Sequence, residues 1–295
     1  MEASGKGTAR VGPSGDIEFI QLNPTDPWNE VDGERASVKS RHFAFSDPKV
    51  RGAMALLCDR KGMQDFVYGR TGTASGHFIS APARYRSPNA KWEFNVDKAN
   101  ALLDDAGCKR GADGIREKGG RKMKFVFQTS INGTRQKEQA IVKQAAQKAG
   151  IELELKSVAP SVFFSSDVGN PDTYPHFYCD LQMYTTTMTE PDPALFMNQF
   201  CSWEAATKEN KWQGRNITRW RNDEYDKAYR AAEGELNPVK RALLFIKMNE
   251  LVIADVADIP VVYRPAVRAL HSKLKAPLSG WDNDMYQIAE WYREA

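Results

Sequence analysis

A strand–helix–strand unit in the middle of the chain constrains the fold more than any other feature. Residues 122–130 (KMKFVFQTS) and 151–158 (IELELKSV) both alternate polar and apolar side chains, which predicts two half-buried strands. Residues 134–149 between them read as a helix. A strand, a helix and a second strand within roughly 35 residues form a βαβ unit, whose two strands lie parallel with a right-handed crossover. The chain is therefore predicted to be an α/β protein.

The other periodic segments agree with this class. Residues 16–23 (DIEFIQLN), 177–185 (FYCDLQMYT) and 259–263 (IPVVY) read as strands. N-cap residues, prolines and apolar spacing predict helices over 48–57, 63–68, 96–106, 194–200, 223–232 and 238–257. Residues 69–93 and the basic, glycine-rich stretch 108–124 are predicted to be loops.

Charge and hydropathy argue against several classes of function. The 295 residues carry 41 Lys plus Arg against 38 Asp plus Glu, and this net charge of +3 gives no support to nucleic-acid binding. No stretch approaches the roughly 18–20 apolar residues of a membrane-spanning helix. Residues 1–16 also lack the apolar region of a signal peptide. We therefore expect either a cytoplasmic protein or a natural N-terminus that lies upstream of this sequence.

Cysteine and histidine usage gives no sign of a metal site or a cofactor. The four cysteines fit no zinc, CxxC or haem spacing, and the four histidines are isolated. No disulfide framework is expected at such sparse spacing. Cys58 and Cys179 lie in apolar runs, so we expect both to be small buried hydrophobic residues.

Two sets of polar side chains are candidates for function. Glu190 and Asp192 are close enough to act as paired carboxylates, but Glu-Pro-Asp-Pro is also typical of a turn and helix cap, and no His, Lys or metal ligand stands beside them. The second set ends two strands, at 128–132 (QTSIN) and 184–187 (YTTT). Ligands of parallel α/β sheets bind beyond the carboxyl ends of strands, although an ordinary capping role for these residues is equally open.

The order of motifs resembles a known family. The segments FAFSDPKVRGAMALLCDRKGM, FNVDKANALLDDAG, KFVFQTS, IVKQAAQKAGIELELKSV, EPDPALFMNQF, NITRWRNDEYD and VKRALLFIKMNELVIADVADIPVVY follow one another. They resemble the extracytoplasmic solute-binding proteins of family 5, from peptide- and nickel-type ABC importers, over roughly residues 16–295. The resemblance implies a periplasmic binding protein type II-like fold, in which two α/β lobes close on a ligand. It further implies a non-enzymatic monomer, periplasmic or at the cell surface, that delivers a peptide or related polar solute to ABC permease subunits.

The resemblance also implies a division of the chain. Family members are nearly twice as long, and this sequence is similar to their second half, which holds mainly lobe II and the C-terminal piece of lobe I. Residues 1–15 would be disordered or left over from lobe I, 16–263 would form lobe II, and 264–295 would return to lobe I. Strands 16–23 and 259–263 would cross between the lobes. The last segment, with Trp281, Tyr286, Trp291 and Tyr292, would lack a partner sheet and be poorly anchored.

The strand ends and the resemblance together give the candidate ligand-binding residues, which are Thr129, Asn132, Tyr184, Thr185, Thr187, Asn216 and Trp220. By the resemblance, Thr187 stands where peptide-binding members carry an Asp that binds the ammonium group of the ligand. Thr129 stands about where dipeptide-binding members carry an Arg that binds the carboxylate of the ligand. With neither charge present, we expect a longer or modified peptide held by main-chain hydrogen bonds, or a neutral solute such as a glycan. The alternative from the residues alone is a small-molecule hydrolase using Glu190 or Asp192.

Overall fold

The centre of the fold is a mixed sheet of six strands, seen in a computed structural model that describes residues 5–79, 81–277 and 287–294. In spatial order the strands are β4 (Thr73–Ala74), β11 (Asp258–His271), β1 (Gly7–Leu22), β10 (Leu181–Thr187), β8 (Lys124–Ser130) and β9 (Glu152–Val158). Strand β8 runs parallel to β9 and β10, while β1 runs antiparallel to β10 and β11. Helix α4 (Gly133–Lys148) connects β8 to β9, so the predicted βαβ unit and the α/β class are confirmed.

Seven shorter strands among the described residues lie outside this sheet. They are β2 (Glu30–Val31) with β3 (Glu34–Arg35), β5 (Lys109–Arg110) with β6 (Arg116–Lys118) and β7 (Arg121–Lys122), and β12 (Leu274–Lys275) with β13 (Tyr292–Arg293). The predicted loop over 108–124 is therefore wrong. Gly114, Gly119 and Gly120 adopt positive φ angles and so make its tight turns. The buried Arg116 fastens this small sheet to the body, because its Nε donates to the Ala149 carbonyl at 2.9 Å.

Helices cover both faces of the central sheet. Besides α4 they are α1 (Pro48–Leu56), α2 (Arg60–Met63), α3 (Val96–Asp105), α5 (Pro160–Phe163), α6 (Ala194–Met197), α7 (Asp223–Gly234) and α8 (Pro238–Ala254). Asp47, Asn95, Asn222 and Asn237 each accept hydrogen bonds from the first turn of a helix, as their sequence positions indicate. The helix predicted over 63–68 is a π-helical turn, Gln64–Tyr68, that continues α2. None of the helices in the described ranges has the length and apolar character needed to span a membrane.

Alternating side chains of the sheet build two large hydrophobic cores, and a third, smaller cluster contains Cys179. Ile20 of β1 packs with α1, α3 and α4 on one face, whereas Phe19 packs with α6, α7 and α8 on the other. Cys58 and Cys179 are buried to 0% and 1% exposure, which confirms them as small interior residues. No described cysteine forms a disulfide.

Strands β1 and β11 extend beyond the sheet as a two-stranded ribbon. Residues 16–21 pair with 258–264 inside the sheet, and residues 7–12 pair with 266–271 outside it. Between the two stretches, residues 13–15 of β1 face the single residue 265 of β11, which makes a β-bulge. The two segments predicted to cross between the lobes thus lie within the sheet, at 16–23 and 259–263. The strand residues that leave the sheet are instead 7–12 and 266–271. Residues 7–15 are part of a strand rather than disordered.

The C-terminal segment has its own strand pairing. Tyr292 of β13 pairs with Lys275 of β12, and the Trp291 Nε1 donates to the Pro277 carbonyl at 3.3 Å. Both strands lie within residues 264–295, so Tyr292 pairs inside the segment itself, and the lack of a partner sheet and the poor anchoring of the segment stay predictions. Trp281 and Tyr286, to which the same expectation applied, lie outside the described residues.

Candidate functional site

One edge of the central sheet collects the ends of several strands. Strands β8, β9 and β10 are parallel, so Ser130, Val158 and Thr187 end at the same edge. Thr187 pairs with Asp16 of β1, and Asp16 pairs with Arg264 of β11, at the level where the ribbon leaves the sheet. We call this the carboxyl edge. It is the position at which open α/β sheets place their ligands.

A groove of about 250 Å³ opens beside the end of β10 at the carboxyl edge. Four aromatic side chains line it, and we call it the aromatic groove: Phe164, Tyr174, Tyr184 and Trp212. The ring of Tyr184 lies 5.1 Å from that of Tyr174 and 6.4 Å from that of Phe164, so these three form a continuous wall. Burial raises the pKa of both tyrosine hydroxyls, and each therefore stays a neutral hydrogen-bonding group at physiological pH.

Polar side chains complete the lining of the aromatic groove. Neutral hydroxyl and amide groups come from Ser165, Ser166, Thr186, Gln199 and Gln213. Arg215 is the one charged side chain among the lining residues that the structure describes. Apolar walls with a few convergent polar groups are the usual composition of a small-molecule site.

The floor of the groove is a strained loop held by one asparagine. Lys211 and Trp212 both have φ of +54°, a conformation that costs a non-glycine residue about 1 kcal/mol or more. Gly214 lies so close to the chain that a Cβ would stand 2.2 Å from the Glu204 carbonyl oxygen. The fully buried Asn216 amide fixes this loop. Its Nδ2 donates to the carbonyls of Cys201 and Trp220, at 3.0 and 2.8 Å.

The opposite face of β10 carries a buried ionic cluster. Glu18 of β1 is fully buried and accepts a hydrogen bond from the Nε of Arg135 at 2.6 Å. The Thr185 hydroxyl also donates to Glu18, and the Nη1 of Arg264 donates to Thr185 at 2.7 Å and to Glu18 at 3.4 Å. We call these four residues the Glu18 cluster. Glu138 of α4 lies near it, and burial together with the negative charge of Glu18 raises the pKa of Glu138 well above its usual value.

The structure separates the predicted residues of β10. Successive side chains of a strand point to opposite faces, so Tyr184 lines the aromatic groove while Thr185 belongs to the Glu18 cluster. Thr187 lies on the same face as Thr185, and its hydroxyl donates to Asp16 at 2.6 Å at the exposed carboxyl edge. The three residues are thus not brought together in one pocket. Thr186, which the sequence reasoning passed over, lines the groove, and the alternation from Tyr184 was the signal for it.

Four other candidates have structural roles. The Thr129 hydroxyl is fully buried and donates to the Met183 carbonyl at 2.8 Å. Asn132 is exposed, and its side chain caps α4. Asn216 holds the groove floor, and the buried Trp220 donates through Nε1 to Asp255. The side chains of Thr129, Asn216 and Trp220 are enclosed and their polar groups are bonded within the protein, and ligand contact by them stays a prediction.

Asp192, one of the two carboxylates of the hydrolase alternative, is engaged by other groups of the protein. Asp192 accepts hydrogen bonds from Arg241 and from the Ala194 N–H, the latter at 2.9 Å. Burial alone would raise the pKa of Asp192, but these hydrogen bonds outweigh it and lower the pKa below its usual value. Asp192 is therefore an ionised helix cap rather than a proton donor. Within the described ranges, no group of three or more His, Cys, Asp or Glu side chains is placed to hold a metal ion.

The sequence is similar to curated proteins over most of its length. The curated oligopeptide-binding protein AppA of Bacillus subtilis is 23% identical over 271 residues, which is 90% of this chain and 46% of AppA. The chain spans less than half the length of the curated relatives it matches.

Solved structures show the same fold. The oligopeptide binding protein from Thermus thermophilus, complexed with a pentapeptide, superposes with a TM-score of 0.77 at 22% identity, over 93% of this chain and 46% of that one. NikZ from Campylobacter jejuni, in complex with Ni(L-His), superposes with a TM-score of 0.77 at 17% identity, over 99% of this chain and 55% of that one. The periplasmic binding protein type II-like fold is therefore confirmed.

A family model covers most of the chain. The model described as bacterial extracellular solute-binding proteins, family 5 middle, matches residues 2–208. This chain therefore belongs to family 5 of the bacterial extracellular solute-binding proteins.

Proposed function

We propose that this chain is the ligand-binding part of an ABC importer's solute-binding protein, and that it captures peptides or a related polar solute for delivery to a membrane permease. The observation that carries the proposal is the place of the aromatic groove, at the carboxyl edge and beside the ribbon. A ligand held there lies where a second lobe joined through the ribbon would close over it. Capture and release of this kind need no covalent chemistry.

The main chain of β10 favours an extended ligand. Strand β8 pairs with β10 only as far as Met183, whereas β1 accompanies β10 up to Thr187. The main chain from Tyr184 to Thr187 therefore has no strand paired with it on the β8 side within the described part of the chain. A peptide can add there as a short strand, with its side chains entering the aromatic groove.

The proposed division of the chain follows from the ribbon. Lobe II comprises residues 16–263, and residues 7–12 with 266–271 cross towards the other lobe. The protein acts as a monomer, and it lies outside the cytoplasmic membrane, in the periplasm or at the cell surface, as its family does. Family membership and the strand order support this assignment.

Ligand identification is the direct test. The protein expressed from its complete reading frame is purified without refolding, denatured, and its released small molecules are analysed by mass spectrometry. Tripeptides to nonapeptides, oligosaccharides and nickel–histidine complexes are then titrated by calorimetry. We expect peptides of several residues to bind. Exclusive binding of oligosaccharides or nickel complexes would refute the peptide assignment, and micromolar binding of free dipeptides would refute the argument from Thr129 and Thr187.

A pair of phenylalanine variants tests the location. Phe164 lines the aromatic groove and its side chain is 46% exposed, whereas Phe66 is 84% exposed and does not line it. Phe164→Ala is expected to weaken ligand binding roughly tenfold, because a ring that becomes buried by the ligand is lost. Phe66→Ala is expected to leave binding unchanged. Equal affinities in both variants would mean that the ligand binds elsewhere.

A further inference from the structure

Arg215 is an unpaired cation on a rigid support. Its side chain is exposed, and its guanidinium makes no hydrogen bond or ion pair with any residue that the structure describes. Its neighbours are both fixed in place. Gly214 is pressed against the Glu204 carbonyl, and the Asn216 N–H donates to the same carbonyl at 2.8 Å. The backbone at Arg215 is therefore set before any ligand arrives, which reduces the entropy lost on binding.

The surroundings of Arg215 contain no competing carboxylate. No Asp or Glu lines the aromatic groove among the described residues. Asp167, which directly follows the lining residue Ser166, accepts a hydrogen bond from the Gly169 N–H at 2.9 Å. The positive charge of Arg215 acts on Tyr174: burial raises the pKa of the Tyr174 hydroxyl, and the charge of Arg215 lowers it by a smaller amount. An arginine that lies beside an aromatic wall and has no carboxylate of the protein as a partner is a preformed site for an anion.

The second arginine at the carboxyl edge is already engaged. Arg264 donates to Glu18 and Thr185 on the far side of β10, and the buried Glu18 shares its charge with Arg135. Both arginines of the Glu18 cluster, Arg135 and Arg264, are therefore paired with Glu18. This leaves Arg215 as the cation that a ligand in the aromatic groove meets.

We propose that Arg215 binds a carboxylate of the ligand, so that this protein prefers a peptide with a carboxylate at that position over the same peptide with an amide there. The proposal rests on the proposed function and specifies its ligand class. The planar guanidinium accepts a carboxylate through two parallel hydrogen bonds, while Ser166 and Gln213 offer neutral donors beside it. The carboxylate belongs to an Asp or Glu side chain or to the C-terminus of the peptide.

Matched peptides distinguish these two sources. The ligands are hexapeptides of one sequence, with Glu or Gln at a single internal position and with a free or amidated C-terminus. Calorimetric titrations use the protein from its complete reading frame. A Glu-over-Gln preference of about ten- to hundredfold identifies the side chain as the partner, and a similar acid-over-amide preference identifies the C-terminus. In either case Arg215→Gln removes the preference and leaves the affinity for the neutral peptide unchanged.

Two further variants keep the test decisive. Arg221→Gln removes another exposed arginine, which does not line the groove, and is expected to keep the preference. Arg215→Glu is expected to reverse it towards peptides with Lys at the test position. A preference that survives in Arg215→Gln, or equal binding by the natural protein of the Glu, Gln, free-acid and amidated peptides, overturns the inference alone. Absence of any peptide binding by the natural protein overturns both the inference and the proposed function.

Discussion

Replacing Asn216 by alanine separates a scaffold role from a ligand contact. The Asn216 amide donates to the carbonyls of Cys201 and Trp220 and accepts from the Thr218 hydroxyl at 3.2 Å, all within the interior. Asn216→Ala leaves the buried Trp220 carbonyl and the buried Thr218 hydroxyl without this partner, while the Cys201 carbonyl keeps a hydrogen bond from the Glu204 N–H at 3.1 Å. Each orphaned buried group costs about 1–3 kcal/mol, so we expect a loss of about 2–4 kcal/mol in the free energy of unfolding, allowing for partial relaxation.

Urea unfolding followed by tryptophan fluorescence measures this loss. With a denaturant slope near 3 kcal/mol/M, the midpoint is expected to fall by roughly 1 M at unchanged slope. Asn89→Ala is the matched control, because its exposed amide donates only to the Glu250 carboxylate, and we expect a change within about 0.5 kcal/mol. A natural midpoint in Asn216→Ala combined with lost ligand binding would refute the reasoning, since Asn216 would then contact the ligand.

Three other variants test the groove floor and the buried charges. Gly214→Ala places a Cβ 2.2 Å from the Glu204 carbonyl oxygen, so we expect a clear drop in melting temperature and loss of ligand binding; a natural melting curve would contradict the close approach. Arg135→Met strips the buried Glu18 of its 2.6 Å partner and is expected to cost about 3–5 kcal/mol in urea titrations, whereas an unchanged midpoint would mean that the pair is solvated. Burial and the charge of Glu18 raise the pKa of Glu138, so the folded state binds this proton more tightly than the unfolded chain does, and stability falls as the pH rises from about 4.3 through the raised pKa. Urea midpoints across that range are expected to decline less steeply in Glu138→Gln; parallel profiles would contradict a neutral buried Glu138.

Local patterns were sufficient to predict most of the fold. The alternation in 122–130 and 151–158, with a helix between them, was sufficient because strand pairing and crossover hand follow from chain chemistry alone. The starts of helices could also be predicted from the sequence, because Asn95 and Asn237 accept hydrogen bonds from the first N–H groups of the helices that follow them. The small sheet over 108–124 was missed because its short strands are exposed and charged, so they show no alternation of polarity.

The candidate site could be predicted only in part. Tyr184 was found because it lies near the end of a recognisable strand, but which of the two opposite faces Tyr184 and Thr185 each take depends on the register that β1 imposes. The floor of the aromatic groove is built by hydrogen bonds from Asn216 to Cys201, fifteen residues away in the sequence, and no periodicity reports such a contact. Arg215 was overlooked because an isolated arginine in a polar loop is ordinary. Its lack of a partner is visible only once the neighbouring residues are placed.

The β-bulge at residues 13–15 is held in place by contacts from the strands on either side of β1. The Tyr263 hydroxyl accepts from the Ser14 N–H at 2.7 Å and donates to the Ser14 carbonyl, clamping the bulge from the opposite strand. Gly15 lies so close to the end of β10 that a Cβ would stand 1.8 Å from the Met188 carbonyl oxygen. The extra residues therefore cannot migrate along the ladder. Asp16 consequently keeps its place opposite both Thr187 and Arg264, at the level where the ribbon leaves the sheet.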